Sequence, residues 1–135
     1  MPAVLSIHPT TLLCTAVLGV LLFGLGIAVS GVRGKSNILI GTAPDPDHLL
    51  NRLVRAHGNT AEHAPFLALL FLAHGARQPS TLVLGLVLAA TAARVVFVAG
   101  LLSARTLHKP SPLRFVGALF TYISGVMLAV LLAAG

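Results

Sequence analysis

Four polar residues stand where an apolar chain should not carry them. Arg52, Arg55, Asn59 and Glu62 are spaced three, four and three apart. On a helix, that spacing places all four on one face. His63 lies beside the stripe, and a further arginine, Arg94, interrupts a long apolar run. Guanidinium groups bind carboxylates through a planar, two-pronged donor set. A carboxylate such as Glu62 accepts from an ammonium. The set therefore suits a ligand site, since ionisable residues within a membrane span are functional candidates by default. It also suits a structural ion pair between Glu62 and Arg94 that fixes helix register. The residues alone leave these two readings about even. His57 and His63 are six apart and fall on different helix faces, so they make no metal site, and no other cluster completes one. His8, His48, His74 and His108 are scattered near element ends and read as interfacial.

The elements that carry these residues are membrane helices. Of the 135 residues, 56% are hydrophobic and only 9% charged, against roughly 25% charged in a soluble domain. The fold class expected is all-α, an integral membrane four-helix bundle forming one domain over 1–135. Spans are expected at about 10–32, 47–76, 80–104 and 112–134. The breaks between them carry Gly41, Pro44 and Pro46, then Pro79, then Pro110 and Pro112. Pro46, Asp45 and Asp47 read as the start signals of the second helix. Pro65 falls within that helix and predicts a kink just past Glu62. Glycines 19, 24, 26 and 31 permit close helix packing on the first span. Cys14 lies in an apolar run and reads as a small hydrophobe.

The net charge of +6 does not indicate nucleic acid, because the nine Lys and Arg form no dense basic face with aromatics. Their positions follow membrane topology instead. Arg33, Lys35, Arg52 and Arg55 flank the first connection, and Arg105, Lys109 and Arg114 surround the third. The opposite side has Arg77. The positive-inside rule then places the first and third connections in the cytoplasm and both termini away from it. No Lys or Arg precedes Arg33, so the first apolar run reads as a retained span rather than a cleaved signal.

The stretch from Asn51 to Phe66 resembles the helix-two signature of the MAPEG family, the membrane-associated proteins in eicosanoid and glutathione metabolism. The pattern reads here as Arg52, Ala56, Asn59 and Glu62, with a second arginine at Arg55 and a proline at Pro65. The resemblance extends over nearly the whole chain and is closest to the small bacterial branch. It implies a homotrimer in a bacterial inner membrane, with glutathione bound between subunits near the cytoplasmic side. By that resemblance, Arg33, Arg52, Arg55, His57, Asn59, Glu62 and Arg94 would bind glutathione. Arg94 opens a helix-three motif that continues to Gly100. Arg114, at the start of the fourth span, would stabilise the thiolate and is the expected catalytic residue.

Two departures from the family pattern bear on activity. His63 stands where many relatives have tyrosine, and Phe97 and Leu101 stand where relatives with a tyrosine-rich third helix carry hydroxyls. The one tyrosine of the chain is Tyr122, in the fourth span. The function expected is a glutathione transferase or peroxidase-like enzyme acting on lipophilic electrophiles. The alternatives are a scaffold that binds lipid or glutathione without turnover, and, further off, a small proton-coupled transporter using Glu62.

Overall fold

The computed structural model describes residues 6–135. Four helices follow one another: α1 (Pro9–Ser36), α2 (Leu49–Gly75), α3 (Thr81–Ser103) and α4 (Pro112–Ala134). Among the described residues there is no strand. Three helices, α1, α3 and α4, are long and apolar enough to cross a membrane. The fourth, α2, is 27 residues long but has a polar first half, the half that bears the motif.

Local chemistry sets the helix ends. Pro9 and Pro112 occupy the first turns of α1 and α4, where a missing N–H costs nothing. His8 and His48 cap α1 and α2, each accepting a backbone N–H on its ring Nδ1, from Thr10 at 3.2 Å and from Leu50 at 3.1 Å. Ser80 caps α3 by accepting from Val83 N–H at 3.3 Å. Asn37 ends α1 in the left-handed conformation that short polar residues tolerate. The second helix begins at Leu49, two residues past the expected start. The acidic pair belongs to the preceding turn, where Asp45 Oδ1 accepts from Asp47 N–H at 3.0 Å. The helix runs on without a break through Pro65.

Neighbouring helices run antiparallel. The start of α1 meets the end of α2, where His8 N–H donates to Gly75 O at 3.1 Å. The end of α3 meets the start of α4 at Gly100, beside the Arg114 backbone. The main packing partners are α1 with α2 and α3 with α4, joined by α2 against α3. Two apolar clusters fill the interior. One centres on Leu18, Leu67, Phe71, Val87 and Leu128, and the other on Leu25, Leu53, Phe97, Val98 and Leu101. Cys14 is buried in the first. Large apolar side chains such as Val20, Phe23, Ile27 and Val126 point outward, which suits lipid as the surrounding solvent.

His74 departs from the interfacial expectation. It is buried, and its ring Nε2–H donates across the bundle to Leu128 O at 2.8 Å. A carbonyl can only accept, so Nε2 carries the proton. The second lone pair of that helix carbonyl gives the buried imidazole a partner.

Gly117 lies directly against the backbone of α3. A Cβ there would stand 2.7 Å from the backbone nitrogen of Phe97 and 2.8 Å from the carbonyl oxygen of Ala93. Backbone atoms cannot give way as a flexible side chain can. Gly117→Ala is therefore expected to force α3 and α4 apart, destabilising the protein by roughly 1–3 kcal/mol. At Gly125 a Cβ meets only Leu67, at 3.7 Å, so Gly125→Ala is expected to be neutral or stabilising. Thermal unfolding of the two variants in detergent checks the contrast.

Candidate functional site

Among the described residues, Arg94 is the one buried side chain that carries a full charge. It projects from the middle of α3 and is 1% exposed. Its Nη2 donates to Asn59 Oδ1 at 2.7 Å and, more weakly, to Thr60 Oγ1 at 3.5 Å. Its Cζ lies 4.9 Å from the centroid of the Phe97 ring, a cation–π distance. Its Nε is buried without a hydrogen-bond partner. Asn59, rather than Glu62, is thus the group on α2 that holds this arginine. The neutral amide satisfies part of the guanidinium and leaves its charge uncancelled.

That charge belongs to a cavity of about 330 Å³ between α2, α3 and α4. Arg55 and Asn59 line it from α2, Arg94, Phe97 and Leu101 from α3, and Arg114 and Tyr122 from α4. Three guanidinium groups and no carboxylate therefore line one space. Arg114 donates through Nη1 to Leu107 O and Lys109 O, both at 3.2 Å. Those bonds pin the loop before α4 and leave the remaining donors of its guanidinium free to turn to an anion.

A second groove, of about 410 Å³, adjoins the first between α2 and α4. Glu62, His63, Phe66, Leu67 and Thr121 line it, and Tyr122 lines both spaces. The walls are otherwise apolar. The His63 ring Nδ1–H donates to Asn59 O at 2.8 Å, and its ring packs on Tyr122 with centroids 5.5 Å apart.

The structure thus brings together Arg55, Asn59, Arg94 and Arg114 out of the eight residues expected at the site. Glu62 faces the adjoining groove and is exposed there. Arg52 lies apart from the cavity lining. Its Nη1 donates to Leu102 O at 2.8 Å and Ala104 O at 2.7 Å, capping the C-terminal end of α3, where a cation is favoured. Arg33 likewise donates to Ile38 O at 3.2 Å, in the turn after α1. His57 stands on another face of α2 against Gly26 of α1, and it lines a groove on that side.

Sequence reasoning missed Tyr122 as a wall of the site. The signal was available in its spacing from Arg114 through Ala118, two steps of four residues along one helix face. It also took the loss of hydroxyls at Phe97 and Leu101 as a loss to the whole site, whereas the fourth helix brings one to the same cavity.

The Arg94–Asn59 bond yields a stability contrast. Asn59→Ala strips a buried guanidinium of its main acceptor and is expected to cost roughly 1.5–3 kcal/mol. Adding Arg94→Met to it removes the stranded charge, so the double variant is expected to be more stable than the single one. Thermal unfolding of both in the same detergent decides the order.

Comparison with known proteins gives one result. The MAPEG family model matches residues 11–134, nearly the entire chain. No curated protein and no solved structure matches it.

Proposed function

The chain belongs to the MAPEG family, and from that premise we propose that it binds glutathione in the three-arginine cavity and uses it on lipophilic electrophiles. The family is one of membrane proteins of glutathione and eicosanoid metabolism. The observation that carries the proposal is a cavity lined by Arg55, Arg94 and Arg114 with no carboxylate in its walls. Such a space selects an anion. Glutathione offers two carboxylates, one ammonium and a thiol.

The fit follows from donor chemistry. Guanidiniums of Arg55 and Arg114 offer paired N–H donors to carboxylates. Asn59 is buried and already accepts from Arg94, so it keeps the deepest cation oriented. Glu62, one helical turn beyond Asn59, supplies the carboxylate for the ammonium. Arg94 and Arg114 face the same space from α3 and α4. Their combined positive charge favours a thiolate over a thiol. In this reading Arg114 is the catalytic residue. Arg33, Arg52 and His57 act outside the cavity, by holding helix ends and the α1–α2 contact. The apolar groove beside Tyr122 gives a lipid-borne electrophile its approach. The assembly proposed is a homotrimer in a bacterial inner membrane, with the basic ends of the bundle in the cytoplasm.

A glutathione titration of thermal stability tests the proposal. A ligand that binds only the folded state stabilises it by about 2.7 kcal/mol at a hundred times its dissociation constant. A saturable rise is expected for the wild type, and a much weaker one for Arg55→Ala and Glu62→Ala at unchanged oligomer size. No rise at millimolar glutathione would move the reading to a lipid-binding scaffold. Dissociation of the oligomer in these variants would show that the two residues serve structure instead.

A further inference from the structure

We propose that His63 is the proton acceptor for the thiol, a role that rests on the glutathione reading above. Three observations lead to it. First, the Nδ1 of His63 lies 2.8 Å from the backbone oxygen of Asn59. That oxygen has no proton to give, so Nδ1 carries one, and in the neutral ring Nε2 holds the free lone pair. Second, the ring is half-buried in the groove beside the cavity and packs on Tyr122. Tyr122 is the residue common to both walls, so His63 packs on the side chain that stands between the cationic space and the apolar one. Third, one residue orients both partners of the reaction. Asn59 holds Arg94 through its side-chain oxygen and His63 through its backbone oxygen. The cation that favours an anionic sulfur and the base that takes its proton are fixed to the same turn of α2.

The step balances. The S–H bond breaks, its proton forms an N–H bond at His63 Nε2, and the electron pair stays on sulfur. With an epoxide as electrophile, the sulfur pair forms the S–C bond and the C–O bond opens. The imidazolium then returns its proton to the alkoxide oxygen. No oxidant or other co-reactant is needed. Positive charge and base thus have separate roles: the arginines stabilise the thiolate, and His63 accepts and returns the proton. General-base assistance of this kind is worth roughly 10²–10⁴ in rate.

The test counts protons. Glutathione binding is measured by calorimetry in buffers of different ionisation enthalpy, and the bound thiolate by its ultraviolet absorbance. For the wild type, thiolate is expected with no net proton release, because His63 keeps the proton. For His63→Gln, S-methylglutathione, which has no thiol proton, is expected to bind as it does to the wild type. Glutathione itself should then either remain a thiol or release about one proton per site. His63→Ala provides a second variant, whose turnover of an epoxide should fall about 100-fold or more and recover with added imidazole. A full proton released by the wild type, or an unchanged thiolate signal and proton count in His63→Gln, would overturn the assignment. Failure of the wild type to bind glutathione at all would instead overturn the reading beneath it.

Discussion

The bundle is organised around one buried guanidinium. An arginine in the middle of an apolar helix is among the most expensive groups a membrane protein can carry. Arg94 is nearly inaccessible, so its donors must find acceptors inside the protein. Asn59 supplies the short one, Thr60 a longer one, and the Phe97 ring covers the flat face. These partners come from α2 and from α3 itself. The relation of α2 to α3 is therefore fixed by where Arg94 finds its acceptors as well as by apolar packing. Because the acceptors are neutral, the charge is stabilised without being cancelled. A cavity beside it inherits a positive potential.

Other contacts turn that requirement into a shaped site. Gly100 and Gly117 let the α3 and α4 backbones approach closely, which brings Arg114 and Tyr122 to the wall that Arg94 and Phe97 already form. Two other arginines near this end are spent on backbone carbonyls. Arg52 caps α3 and Arg33 holds the turn after α1, while Arg114 does part of the same work on the loop before α4. Helix ends leave carbonyls without intrahelical partners, so arginines near them have a structural use before any ligand is considered. The difference between a capping arginine and a ligand arginine lies in what donors remain. Arg55 is exposed and faces the cavity, which makes it the freest of the three that line it.

The sequence carried the helices plainly, because four apolar or half-apolar stretches separated by proline and glycine admit few other arrangements. Their ends fell within a few residues of expectation, except that α1 runs on to Ser36 and carries Arg33 and Lys35 in its last turn. The motif stripe was also legible. Spacing placed Arg52, Arg55, Asn59 and Glu62 on one face, and Arg94 stood out as a charge in an apolar run. Spacing could not say which member of the stripe would meet Arg94. Glu62 offers the opposite charge, but Asn59 sits at the matching depth on the helix and takes the bond. Nor could it separate Arg52 from Arg55, since that depends on where α3 stops: Arg52 reaches the carbonyls of Leu102 and Ala104. His74 was misread and Tyr122 missed for the same reason. His74 meets Leu128 of α4 and Tyr122 meets His63 of α2, partners far along the chain, and no local pattern reports either meeting.

On the function proposed above, the charge held by Asn59 makes the α2–α3–α4 cavity a glutathione site. The most direct measurement is an experimental structure of the protein in lipid with glutathione bound. The tripeptide is expected within the space lined by Arg55, Asn59, Arg94 and Arg114, with its carboxylates on guanidinium groups and its sulfur toward Tyr122. Glutathione held elsewhere, or that cavity filled by a lipid chain while glutathione is in excess, would contradict it.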